Sequence, residues 1–337
     1  MLTPLAELQQ QTGEVPLCWV TVGRDTSYFN LGDALSPVMV AALSGQRVVH
    51  AAMNSSRLRM CAVGTIGHAL VGGEVWIWGT GASRYGNPLA AKELRELYRP
   101  PADTKLVVTA TRGPISRQIL GEENAVGPAV YGDPVWLLPR FYRPPVEKKH
   151  ELGVILHLSE LTDRAYEAHP KPGFLRYQVP ADRGDSVVLI NTITPPTLRG
   201  LADRLDDILA CKRIVSTSLH GMVIAESYGI PCLYFSTRTR RNGGGRIPLD
   251  PDGTLNLRVT DLYQGLGRTE LNIYAQRRIT ATDWEDVCDT VDHLWEPVTL
   301  DEDRLIDAFP LPVARRGLSD GIDLFEDPAV GAIDFRS

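Results

Sequence analysis

The chain has 337 residues, more than one ordinary core comfortably holds, so two domains are expected. With 43% hydrophobic and 23% charged residues, 30 Gly and 24 Pro, its composition excludes disordered, collagen-like and coiled-coil classes. The net charge of −6 hides a basic body, with 31 Lys/Arg against 26 Asp/Glu over residues 1–281, and an acidic end, with 4 against 15 over 282–337; this suits a small anionic ligand and lacks the dense basic stripe of a nucleic-acid binder.

No apolar run approaches the roughly 18–20 residues of a membrane span, and residues 1–23 carry no Lys or Arg for a signal-peptide start, so no transmembrane segment and a cytoplasmic location are expected. The five cysteines are scattered through apolar strings and form neither a disulfide framework nor a metal knuckle; they read as buried small hydrophobes.

In chain order, 15–22, 46–52, 74–78 and 105–110 are short apolar runs with helix-like stretches between them. Their continuous apolar character predicts strands covered on both faces, hence a mostly parallel α/β sheet. A second series follows at 151–158, 186–190, 213–217, 231–235 and 256–260, then a helix over 284–294. The segment Pro139 to Pro145 with Glu147-Lys148-Lys149 reads as a linker. These features predict domains over 1–146 and 147–300 and an acidic tail over 301–337, loosely packed or crossing back onto the first domain.

The motifs fall just after predicted strands, where parallel α/β domains place their sites. Ser216-Thr217-Ser218-Leu219-His220-Gly221 is followed by Ala225-Glu226 and Gly229-Ile230-Pro231. A strand ends there and a helix begins at about His220, which puts the imidazole at a helix N-terminus; Gly221 permits close backbone approach, and a bound dianion would favour the protonated ring. Arg112-Gly113-Pro114 opens a second helix, with Pro114 in its first turn and Gly121 ending it. Arg112 can fork a carboxylate or phosphate, and Arg117 lies about one turn on.

Asn30-Leu31-Gly32-Asp33 is a tight turn in which Asp33 starts a helix running to about Ser44. Gly79-Thr80-Gly81 could cradle an anion on backbone N–H groups, although neither a dinucleotide fingerprint nor a phosphate-binding P-loop is present. Asp133, in Tyr131-Gly132-Asp133-Pro134, lies on a turn. Arg238, Arg240, Arg241 and Arg246 make a mobile basic loop suited to a polyanion. No metal-ligand spacing and no acyl-hydrolase elbow occurs, so no metal is expected.

Taken in order, Asn30-x-Gly32-Asp33, Trp78-Gly79-Thr80-Gly81, Arg112-Gly113-x-x-Ser116, Gly132-Asp133-Pro134 and Ser216-x-Ser218-Leu219-His220-Gly221 resemble the polysaccharide pyruvyl transferase family, over about residues 28–235. The resemblance implies two Rossmann-like domains facing across a cleft, a GT-B-like architecture. It also implies transfer of the pyruvyl group of phosphoenolpyruvate to a sugar as a ketal, during synthesis of bacterial exopolysaccharide or another surface glycan. Phosphoenolpyruvate would be a co-substrate and no cofactor is implied. Arg112 and His220 would form the donor pair, with Arg117, Ser218, Leu219 and Gly221 on the donor side and the acceptor on the first domain.

The residues suit that chemistry, which needs anchors for a phosphate and a carboxylate, a proton for C3 and a base for the sugar hydroxyl. His220 is the expected acid; Asp33, Asp133 or Glu226 is the expected base or cation stabiliser. A lipid-linked carbohydrate acceptor would bring the enzyme to the inner membrane face, where the 238–246 loop meets head groups. Two other readings use the same residues. A nucleotide-sugar glycosyltransferase would place Glu226 on the ribose and the arginines on the pyrophosphate, and a non-catalytic module would bind anions without releasing phosphate.

Overall fold

The computed structural model describes residues 2–23, 26–237, 241–317 and 323–336. The strands are β1 (Glu14–Cys18), β2 (Phe29–Asn30), β3 (Arg47–His50), β4 (Arg59–Cys61), β5 (Gly73–Thr80) and β6 (Thr104–Thr111), then β7 (Leu152–Leu156), β8 (Val187–Asn191), β9 (Ile193–Thr194), β10 (Ile214–Ser216), β11 (Cys232–Ser236), β12 (Gly243–Pro248) and β13 (Glu270–Ala275). The helices are α1 (Pro4–Thr12), α2 (Leu31–Ser44), α3 (Pro114–Leu120), α4 (Leu198–Leu209), α5 (Leu219–Ser227), α6 (Leu257–Gly265), α7 (Trp284–Leu294), α8 (Glu302–Asp307) and α9 (Pro328–Gly331).

Two parallel sheets result, giving a mixed α/β fold. The first runs β3-β1-β4-β5-β6 and the second β12-β13-β11-β10-β7-β8, with only β12 antiparallel to its neighbour. In each sheet the first strand lies between the second and third of its series, so strand order reverses there: between β1 and β4 in one, between β7 and β10 in the other. Such a reversal opens a crevice beyond the carboxyl ends of the strands. The short pair β2–β9 joins the halves, with Phe29 opposite Thr194 and Asn30 opposite Ile193.

Strand propensity and two-sided burial agree, as in β7, where all five residues Leu152–Leu156 are buried. Helix α2 is buried along most of its length; the Asn30 side chain accepts from the Gly32 N–H at 3.2 Å to start it, and Gly45, at φ 62°, ends it in the left-handed conformation that glycine takes without strain. Helix α5 is apolar around nearly its whole circumference and lies inside the second half.

Two sequence expectations need correction, and a third is decided between its two alternatives. The 256–260 run is not a strand: Asn256 caps it, accepting from the Arg258 N–H at 3.0 Å, and the chain continues as α6. Within the expected mobile loop, 243–248 is strand β12 and pairs with β13; Arg238 and Arg240 lie outside the described residues. The acidic end is not loose. Trp78 Nε1 donates to the Leu305 carbonyl at 2.8 Å, Phe309 packs edge-on against Trp78 with centroids 4.8 Å apart, and Phe335 lies 5.0 Å from Phe29, so this segment crosses back over the first sheet's half.

Candidate functional site

His220 comes from the second half. Ser218 accepts from the Gly221 N–H at 3.5 Å and caps α5, while Ser216 Oγ bonds both the N–H and the carbonyl of Ser218. The turn out of β10 is thereby fixed, and His220 is the partly exposed residue of an otherwise buried first turn, since Leu219 goes into the core. Its ring leaves its own half and rests on the start of α2: a methyl group on Gly32 would overlap the imidazole. His220 Nε2 is buried, makes no hydrogen bond, and lies 3.5 Å from Asp133 Oδ2. Asp133, 1% exposed, uses its other oxygen to accept from the Val135 N–H at 3.0 Å. Asp33 stands beside this pair. Burial raises its carboxyl above the ordinary range, against the attraction of His220 and Arg258 and together with repulsion from Asp133.

Arg112 is also brought to the boundary between the halves, but its guanidinium is engaged. One terminal nitrogen donates to Thr65 Oγ1 at 2.7 Å and the other lies 3.1 Å from Asp261 Oδ2, while Nε has no partner. Asp261 sits on α6 and also accepts from the Ser116 N–H at 3.0 Å and Ser116 Oγ at 2.5 Å. Both partners are essentially unexposed. Glycines permit this approach: a methyl on Gly81 would overlap the Arg112 guanidinium, and one on Gly113 would overlap the Asp261 carbonyl.

Three neighbours escaped the sequence reading: Arg258, Asp261 and His157. Arg258, one turn before Asp261 on α6, lies within electrostatic reach of both Asp33 and Arg112. Its terminal nitrogen is 3.1 Å from His157 Nε2. His157 directly follows β7, at the strand-order reversal of the second sheet, and its N–H donates to Thr217 Oγ1 at 2.8 Å. Burial, then Arg258, pushes the imidazole down to about 4, so it is neutral at pH 7. The signal for His157 was present, a polar residue after an apolar strand. Arg258 and Asp261 were hidden because their segment read as a strand.

The remaining expected residues go elsewhere. Glu226, near the far end of α5 from His220, accepts from Tyr263 Oη and Trp295 Nε1, each at 3.2 Å, and burial pushes its carboxyl up to about 7. Arg117 points at Glu122, its Nε 2.6 Å from Oε2. The Gly79-Thr80-Gly81 segment is the end of β5: Thr80 Oγ1 donates to the Ala62 carbonyl, Gly81 N–H to the Gly64 carbonyl and Ala82 N–H to Ser116 Oγ, so these groups face protein acceptors. Arg241 lies among the described residues. Among the described residues no group of His, Cys, Asp and Glu is arranged to hold a metal ion. Among the described residues no helix is long and apolar enough to cross a membrane.

The arrangement thus offers a partly open imidazole flanked by two carboxylates and bordered by two guanidiniums, with four helix starts, those of α2, α3, α5 and α6, close by. It can hold an anion and move a proton. No similar curated protein and no similar solved structure was found by comparison. The family model for polysaccharide pyruvyl transferase matches residues 66–239, just over half of the chain, a stretch that includes Arg112, Ser116, Asp133, His157 and His220. The chain belongs to the polysaccharide pyruvyl transferase family.

Proposed function

We propose that this protein transfers the pyruvyl group of phosphoenolpyruvate to two hydroxyls of one sugar unit in a surface-glycan intermediate, forming a ketal and releasing phosphate. The proposal includes two Rossmann-like lobes, 1–146 and 147–300, facing each other in a GT-B-like way, with the acceptor on the first. The observation that carries it is the His220 imidazole, reaching from the second half onto α2 of the first, with an unbonded Nε2 beside Asp133. Family membership supports the reaction class.

In this reading His220 gives a proton to C3 of the enol, and the C2 cation that forms is stabilised by Asp133 or Asp33. A sugar hydroxyl attacks C2 and loses its proton to the carboxylate that is free to accept it. Asp33 suits that role, because its raised carboxyl binds a proton more readily than an exposed aspartate. Phosphate then leaves with the C2–O electron pair, a second hydroxyl closes the ring, and its proton is lost. Glu226, held by Tyr263 and Trp295, is assigned no step. Arg112 would act on the donor as a nearby positive charge, its fork held by Asp261 and Thr65.

The test is phosphate release from phosphoenolpyruvate with a panel of free, nucleotide-linked and lipid-linked sugars, the product being identified by mass as a pyruvyl ketal. Turnover with one acceptor class establishes the reaction. Transfer from nucleotide sugars instead, with no use of phosphoenolpyruvate, contradicts it.

A further inference from the structure

Arg258 and Asp261 are three residues apart on α6, the spacing that puts two side chains on one helix face. Asp261 holds Arg112, so the same face brings a second guanidinium next to the first. The two cations repel: burial, then Arg112, lowers the Arg258 pKa, with Asp33 and Tyr234 opposing. Their partners differ. Arg112 has the Asp261 carboxylate at 3.1 Å. Among the described residues no carboxylate lies within ion-pair distance of Arg258; its side chain meets Asn256 Oδ1 at 3.3 Å and His157 Nε2 at 3.1 Å.

Neither neighbour carries negative charge, and a neutral His157 adds no further positive charge. A mostly buried cation whose nearest carboxylate, Asp33, attracts it only from beyond ion-pair distance is costly to keep. The feature that points to an absent anion is that Arg258, beside a second guanidinium, has no carboxylate within ion-pair distance among the described residues. Arg258 keeps partial solvent access, so an anion can reach it. The start of α6, capped by Asn256, adds the positive end of a nine-residue helix. Two adjacent guanidiniums, only one of them neutralised, suit a group of charge near −2 better than a single carboxylate.

We propose that Arg258 is the phosphate-binding residue of the donor site, with His157 holding the guanidinium in place and the buried Arg112 adding positive charge behind it. This rests on the pyruvyl-transfer reading for the donor's identity, but the phosphate assignment stands on the cation pair. Arg258 lies beyond the stretch 66–239 that the family model matches, so it is read from this chain's own geometry.

The test compares wild type with Arg258→Gln and Arg258→Lys. Thermal melting is measured with phosphoenolpyruvate, inorganic phosphate and UDP, and KM and kcat for phosphoenolpyruvate are measured where turnover is found. Phosphoenolpyruvate should raise the wild-type midpoint, and inorganic phosphate should compete with it. Arg258→Gln should melt at or above the ligand-free wild type, bind both at least about 10-fold more weakly, and raise KM more than it lowers kcat. Arg258→Lys, which keeps charge without the fork, should fall between and covers the case in which the glutamine variant does not fold. Wild-type affinity for both anions in either folded variant overturns the proposal. A wild type that ignores phosphoenolpyruvate but binds UDP or inorganic phosphate sinks the donor reading, and the same variants then judge Arg258 on that ligand. A wild type indifferent to all three overturns both.

Discussion

His220 is seated on Gly32, a residue 188 positions away, so closely that any side chain at position 32 would displace the ring. The contact couples the start of α5 to the start of α2 and sets where the imidazole points. Replacing Gly32 by alanine should leave helix α2 intact, because alanine is the better helix former by about 1 kcal/mol. It should lower kcat by about 10²-fold, the scale of a misplacement of roughly 1 Å. Steady-state kinetics with far-UV circular dichroism checks this; a folded, fully active Gly32→Ala protein rules out the seating as a requirement.

Asp133 does two jobs that one substitution separates. Asparagine can still accept from the Val135 N–H and cap the turn after it. It cannot stand as an anion opposite His220 Nε2. Asp133→Asn is therefore expected to unfold within about 1 kcal/mol of wild type while kcat falls about 10²–10⁴-fold, the usual contribution of a proton-transfer partner. Equal losses in stability and rate would show a structural role only.

The Arg112–Asp261 pair ties α6 to the end of β6. Removing either partner alone leaves a buried uncompensated charge and should cost about 3–5 kcal/mol, read from denaturant midpoints. The double variant Arg112→Ala, Asp261→Ala should cost clearly less than the two single losses added together. Additive losses mean the two side chains are not coupled.

Glu226 predicts a pH effect on stability rather than on chemistry. Its folded carboxyl is raised by burial to about 7, above the unfolded value of 4.5. The stability it contributes is therefore complete below about pH 4.5 and is lost as pH rises through 7, up to about 3 kcal/mol. Wild type should lose stability between pH 5 and 8 relative to Glu226→Gln, in which that position no longer titrates. Parallel pH profiles for the two proteins would remove Glu226 as the cause.

Much of this architecture is legible in the sequence where burial is two-sided. β5, β6, β7 and β11 announce themselves as unbroken apolar runs, and α7 by its periodicity. Other elements are set by tertiary context. β4 is three residues long and begins with Arg59, whose guanidinium is buried by five backbone carbonyls from Met53, Ser55, Arg57, Val71 and Gly72. β12 opens with three glycines and forms only because β13 offers it an edge. In 256–260 the apolar Leu257 and Val259 suggested a strand, but the capping Asn256 was the deciding signal.

The site divides in the same way. His220, Asp33, Asp133, Arg112 and their glycines could be picked out because each follows a strand or opens a helix. Asp261 and Arg258 were invisible, since their meaning comes from the packing of α6 against α3, which no local pattern encodes.

The most direct measurement is phosphate release from phosphoenolpyruvate by His220→Ala with the acceptor that the wild type uses. The account predicts a kcat lower by about 10²–10⁴-fold with phosphoenolpyruvate still bound. Turnover by the variant at the wild-type rate would contradict it.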